Sequence, residues 1–144
     1  MSTDVRRAAG PDEIAAAIAL RAAVFVDEQG VPLEEDVDGR DGEALHLVAV
    51  ADDGTVVGTC RLLADGPALK LGRLAVAPAA RRGGIGLRLL ELADAEADAR
   101  GARRIVLAAQ VRALPLYERA GYTARGDVFL DAGIEHLWME KRCA

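Results

Sequence analysis

The spacing of apolar positions changes several times along the chain, and each change marks an element. Between positions 11 and 30, Ile14, Ile18, Arg21, Ala22 and Phe25 share one stripe at helical spacing, with Val24 alongside. That predicts a helix ending near Gly30. Pro11, Asp12 and Glu13 suit its start, where acidic groups meet the positive end of the helix dipole. A short strand precedes it in residues 3–9. Further on, Leu45, Leu47 and Ala49 alternate with His46, Val48 and Val50; Asp52-Asp53-Gly54 makes a turn, and residues 56–63 return. This is a hairpin signal. A third strand follows in residues 69–77. Ile85, Leu89, Leu92 and Ala93 then restore the helical period over residues 84–100. Residues 102–110 read as a buried strand, 112–121 as a short helix ending at a C′ glycine, Gly121, and 122–130 and 134–142 as two closing strands. The order β-α-loop-β-β-β-α-β-α-β-β predicts one mixed α+β domain spanning 1–144.

Composition narrows the picture. Apolar residues make up 51% of the 144, but only 3% are aromatic, so Ala, Leu, Val and Ile must fill the core. A net charge of −5 argues against bulk binding of nucleic acid or of an acidic membrane. Cys60 and Cys143 stand alone, with no spacing for a zinc site or a disulfide framework. A reducing, cytoplasmic setting is therefore expected. No secretory leader is recognised, and no apolar run approaches the about 18 residues of a membrane span.

One stretch runs against the overall charge. Between Gly66 and Leu90 there is no acidic residue, while Lys70, Arg73, Arg81, Arg82 and Arg88 supply five positive charges. Within it, Arg81-Arg82-Gly83-Gly84-Ile85-Gly86 joins a strand to a helix. The first N–H groups of a helix have no internal acceptor and, with the dipole, form an anion site. Glycines let a ligand approach the backbone closely. The joint thus has the parts of a polyphosphate cradle; an ordinary turn with solvated arginines explains the same residues. It lacks the Lys-Ser/Thr of a Walker A loop and the G-x-G-x-x-G dinucleotide fingerprint.

The stretch LAVAPAARRGGIGLRLL resembles the acyl-CoA signature of the GNAT superfamily of N-acyltransferases, Gln/Arg-x-x-Gly-x-Gly/Ala. Downstream, AAQVRALPLYERAGY resembles that superfamily's second motif: Gln110 stands in the Asn place, Ala113, Tyr117 and Gly121 match, and Tyr122 replaces Phe. The segments LRAAVFVDEQGVPLEEDVDGRDGEALHLVA and VFLDAGIEHLWMEK are similar to the small, single-domain ElaA-like branch. The resemblance implies a mixed, mostly antiparallel central sheet flanked by helices. It also implies acetyl transfer from acetyl-CoA to a primary amine of a small molecule or peptide, with no metal and with a homodimer as one assembly.

It further implies roles for particular residues. Leu74, Ala75 and Val76 would pair with the pantetheine arm. Arg82, Gly83, Gly84, Ile85, Gly86 and Leu87 would hold the pyrophosphate on their amides, helped by the charges of Arg81, Arg82 and, with less weight, Arg88. Gln110 would join the cofactor site. Tyr117 would assist the departing thiolate, unless it is simply a core aromatic. Glu28, His46 and His136 are the candidates for the base, and each histidine reads equally well as a hydrogen-bonded strand residue. Residues 27–43 hold eight acidic groups against Arg40 alone. They read as a solvated loop or as an acidic lip drawing in a cationic amine. Two other readings are a non-catalytic acyl-CoA sensor and, from a fainter resemblance, an acyl-homoserine-lactone-synthase-like enzyme.

Overall fold

The computed structural model describes residues 3–143. Its elements are β1 (Thr3–Arg7), α1 (Pro11–Arg21), α2 (Leu33–Asp36), β2 (Leu45–Ala51), β3 (Val56–Asp65), β4 (Ala68–Val76), α3 (Ile85–Ala99), β5 (Arg104–Gln110), α4 (Leu114–Arg119), β6 (Thr123–Asp131) and β7 (Ile134–Arg142). The expected order is present. Among the described residues the strands form one seven-stranded sheet in the order β1-β2-β3-β4-β5-β7-β6. All neighbours pair antiparallel except β4 and β5, which run parallel.

Alternation along β2 explains the layering, because successive side chains of a strand point to opposite faces. Leu47 and Ala49 join the main core with Leu89, Leu90 and Ala93 of α3 and Tyr117 of α4. Val48 and Val50 pack with Ala17 and Leu20 of α1 on the other face. Both faces of β2 are therefore covered, which is why His46, Val48 and Val50 are buried along with Leu47 and Ala49. Truncating the fully buried Leu89 to Ala would cost about 2–5 kcal/mol. Helix α3 sits unusually close to the sheet at Gly58, where an added Cβ would lie 2.8 Å from Ile85 Cγ2 and 3.2 Å from Leu89 Cδ1.

Two expectations need correction. The first helix does continue to Glu28, but residues Ala22–Glu28 are π-helical, with the Gln29 N–H donating to the Val24 carbonyl five residues back at 3.1 Å. It stops where expected, at left-handed Gly30, with the Val31 N–H closing on the Phe25 carbonyl at 2.8 Å. Its deepest stripe is Ala17, Arg21 and Val24, so an arginine lies at the centre of the buried face.

The second correction concerns residues 31–43. Most of them are exposed, as a solvated loop would be, but Asp36, Asp38 and Asp41 are tied down by arginines, while Glu35 and Asp36 border the cavity described below. Arg21 donates to Asp41 at 2.6 Å and to the Asp36 carbonyl at 2.9 Å. Arg61 donates to Asp38 and Asp41, each at 2.9 Å. Arg73 donates to the Glu35 carbonyl at 2.9 Å and lies 3.4 Å from Asp38. Three arginines from α1, β3 and β4 thus neutralise Asp36, Asp38 and Asp41 and hold the loop onto the sheet. The Arg61 hydrogen bond keeps the Asp38 carboxyl well below the ordinary aspartate range.

Candidate functional site

Strands β4 and β5 pair over only three positions, Ala68–Arg104, Leu69–Ile105 and Lys70–Val106, and then part. A β-bulge helps turn β4 away. Between Thr59–Ala75 and Arg61–Gly72 the β4 strand carries one residue more than β3, and Arg73 takes a left-handed φ of 57°. The widening V contains a cavity of about 870 Å³. That is within the range of small-molecule sites, about 300–1,000 Å³. Leu74, Ala75 and Val76 line one arm, and Leu107, Ala108 and Gln110 line the other. Beyond Lys70, β4 has no strand partner on its β5 side among the described residues.

The glycine-rich joint closes the top of the V. Gly84 is the residue before α3 and adopts a left-handed φ of 80°; Arg82, at φ 68°, is also left-handed. Among the described residues no side chain caps the helix. The first bond of the helical ladder is Arg88 N–H to the Gly84 carbonyl at 3.0 Å, so the N–H groups of Ile85, Gly86 and Leu87 have no helical acceptor. Arg82, Gly84, Ile85, Gly86 and Leu87 line the cavity; Gly83 lies in the loop but outside the lining. An added Cβ at Gly86 would lie 3.3 Å from Leu116 Cδ2, which fixes the contact between α3 and α4. These features fit a polyphosphate group: unpaired amides, a left-handed glycine and a nearby guanidinium, Arg82, with no partner among the described residues.

The arginines of the joint differ in what they touch. Arg81 is engaged on both sides: Nε donates to the Val76 carbonyl at 3.0 Å, and Nη1 and Nη2 donate to Glu28 at 2.8 and 2.7 Å. The hydrogen bond from Arg81 lowers the Glu28 pKa, so Glu28 is an ionised and weakened base here. Arg88 lies away from the cavity and donates to the Thr3 carbonyl at 2.9 Å. Gln110 Nε2 donates to Gln29 Oε1 at 2.8 Å, and Arg112 Nε donates to Gln110 Oε1 at 3.1 Å.

The two histidines separate. His136 lines the cavity, directly across the β5–β7 ladder from Gln110, and its ring stacks on Phe129 with centroids 5.8 Å apart. Its Nδ1 lies 2.7 Å from the Ile134 carbonyl. A carbonyl only accepts, so Nδ1 carries the hydrogen and the neutral ring keeps its lone pair on Nε2. His46 is buried on the α1 face beside Arg61, with Nε2 2.9 Å from the Asp41 carbonyl, and does not line the cavity. Its place on the strand gives it a structural bond to the pinned loop instead.

Tyr117 lines the cavity from α4 and meets Tyr122 edge to face at 6.1 Å. Burial raises its phenol pKa above the ordinary tyrosine value, so it stays protonated. Burial also pushes the Cys60 thiol up to about 12, which leaves it an inert core residue. Among the described residues no cluster of His, Cys, Asp and Glu could hold a metal ion, and no helix is long and apolar enough to cross a membrane.

Sequence reasoning missed Gln29, Lys70, Arg112 and Asp131 of the cavity wall, and the pinning role of Arg21, Arg61 and Arg73. A signal existed for Arg21: it is a charge at the centre of an otherwise apolar stripe, which demands a buried partner.

Comparison with known proteins agrees with this architecture. The chain matches the acetyltransferase (GNAT) domain over residues 11–143. It is 37% identical over 131 residues to the uncharacterized N-acetyltransferase YjcF of Bacillus subtilis, covering 90% of this chain and 93% of that one. The crystal structure of an acyl-CoA N-acyltransferase from Pseudomonas aeruginosa superposes with a TM-score of 0.83 at 32% identity, over 97% of this chain and 98% of that one. Escherichia coli ElaA shares the fold, with a TM-score of 0.83 at 24% identity over 98% and 99% of the two chains. By its matched domain, its relatives and its fold, the chain belongs to the GNAT acetyltransferase family and is an acyltransferase.

Proposed function

We propose that the chain works as one domain, residues 1–144, and moves the acetyl group of acetyl-CoA directly to a primary amine of a small molecule or peptide in the cytoplasm. The observation that carries this reading is the row of unpaired amides at Ile85, Gly86 and Leu87, placed where the unpaired edge of β4 enters the cavity. Acetyl-CoA supplies the activated thioester.

Leu74, Ala75 and Val76 offer backbone groups to the pantetheine arm. The amides from Arg82 through Gly83, Gly84, Ile85 and Gly86 to Leu87 hold the pyrophosphate, with Arg81 and Arg82 adding charge. Gln110 positions the other arm of the V through Gln29. His136 takes the proton of the attacking amine on Nε2, since the Ile134 carbonyl occupies Nδ1–H. Tyr117 stays protonated and donates a hydrogen bond to the departing sulfur. A phenol with a raised pKa is a poor proton donor to a thiolate, so its contribution is a hydrogen bond rather than a full transfer. Cys60 is sealed in the core, which favours direct transfer over an acyl-enzyme route.

The test is thiol release from acetyl-CoA across a panel of amines and peptide N-termini, with Tyr117→Phe beside the wild type. Turnover should fall about a hundredfold in the variant, while CoA affinity changes little. A wild type that binds CoA but releases thiol with no amine would point to a sensor. Failure to bind CoA would overturn the donor assignment.

A further inference from the structure

The end of the first helix touches both arms of the V through two consecutive residues. Glu28 reaches the β4 side through Arg81, and Gln29 reaches the β5 side through Gln110. The two links differ in kind. Gln29–Gln110 is neutral, and Gln110 is further held by Arg112. Glu28–Arg81 is an ion pair whose side chains are 42% and 38% exposed. Exposed pairs contribute little, so this link exchanges readily.

Resting on the acyl-CoA reading above, we propose that Arg81 changes partner when the acyl donor binds, leaving Glu28 for the pyrophosphate. Arg81 is built for a small swing. Its Nε is anchored on the last carbonyl of β4, Val76, at 3.0 Å, so only the two terminal nitrogens need a new acceptor. The unpaired amides of Ile85–Leu87 lie at the start of the next helix, only a few residues on. A pyrophosphate carries more charge than one carboxylate and also meets the positive end of α3, so it outcompetes Glu28 for the guanidinium.

The exchange gives Glu28 a role other than that of a base. In the free enzyme it occupies Arg81 and opposes donor binding. With the donor bound, its carboxylate is left unpaired on the cavity wall. Arg112, the other guanidinium acting on Glu28, remains engaged by Gln110. The freed carboxylate attracts a protonated amine into the site before His136 receives its proton. Glu28 is thus a positioning residue that makes the acceptor site negative only when there is an acetyl group to transfer.

The test is CoA binding by titration calorimetry to the wild type, Glu28→Gln, Arg81→Gln and the double variant. Glu28→Gln keeps the shape and removes the competing charge, so it should bind CoA about two- to fivefold more tightly. It should also raise KM for a cationic amine while kcat changes less. Arg81→Gln should weaken CoA binding more in the Glu28→Gln background than alone, because Arg81 is then free to act. A merely structural Glu28 would give the opposite sign: looser binding once its hold on Arg81 is lost. Equal or weaker CoA binding by Glu28→Gln overturns the exchange. No CoA binding by the wild type overturns the donor assignment and the exchange with it.

Discussion

Two loops of this chain hold polar groups mainly of one sign, and they use them in opposite ways. The segment from Asp36 to Asp41 commits its three aspartates to Arg21, Arg61 and Arg73, so its charge is consumed inside the molecule. The segment from Arg82 to Leu87 leaves its polar groups unmatched and open to a cavity. The first loop is structural because its partners arrive from three other elements. The second is open to a ligand, as the proposed donor site requires, because no counter-charge reaches it among the described residues. A charge run in a sequence fixes the sign of a surface only when the fold supplies no counter-charge.

The largest effect should come from breaking the consumed side. Arg21→Ala takes the nearer guanidinium from the fully buried Asp36 side chain, leaving it only Arg73 at 3.6 Å, and removes the 2.6 Å bond to Asp41. The expected cost is about 3–5 kcal/mol, seen as a lowered denaturant midpoint. A loss below 1 kcal/mol would mean that the aspartates are not held this way. A smaller effect is expected on the open side. Gly84→Ala forces a side chain into φ 80° at a cost of about 1–2 kcal/mol. It should weaken CoA binding while the far-ultraviolet circular dichroism stays unchanged. Unaltered CoA affinity would remove Gly84 from the cradle.

Acid should separate the two loops with the least perturbation. The Arg61 hydrogen bond depresses the Asp38 pKa in the folded state. Its stabilisation is full above the unfolded aspartate value, about 3.9, and fades as pH falls through the folded value. The amides of the other loop do not titrate. Hydrogen exchange below pH 4 should therefore quicken in residues 33–41 before the helix following the cradle. Simultaneous loss in both would contradict the contrast.

Much of the fold was legible because its elements carry clean local signals. The hairpin showed strict alternation, and β7 was bounded correctly at Ile134 and Arg142 by its neighbouring turns. The unpaired amides of the glycine-rich joint were legible too, since glycines and missing acceptors are properties of a contiguous segment. What stayed hidden depended on partners distant in sequence. The pairing of Glu28 with Arg81 joins residues 53 positions apart, and no local pattern announces it. His46 and His136 looked equivalent as strand histidines; only the sheet order put one on the cavity and the other under the pinned loop. The π-helical turn was hidden for another reason: an α-helical period and a π-helical one look alike over seven residues.

The short β4–β5 pairing has a mechanical consequence. Among the described residues, three residue pairs join strands β1–β4 to strands β5–β7 by backbone ladder. The two plates are instead glued on one face by side chains: Leu69 and Leu71 from one, Ile105 and Leu107 from the other, with α3 lying over both. Such contacts have no preferred direction, unlike hydrogen bonds. A change in the angle between the plates would therefore cost few ladder hydrogen bonds. If the acyl donor enters between those plates, as proposed above, the seam lends compliance there while each plate stays stiff.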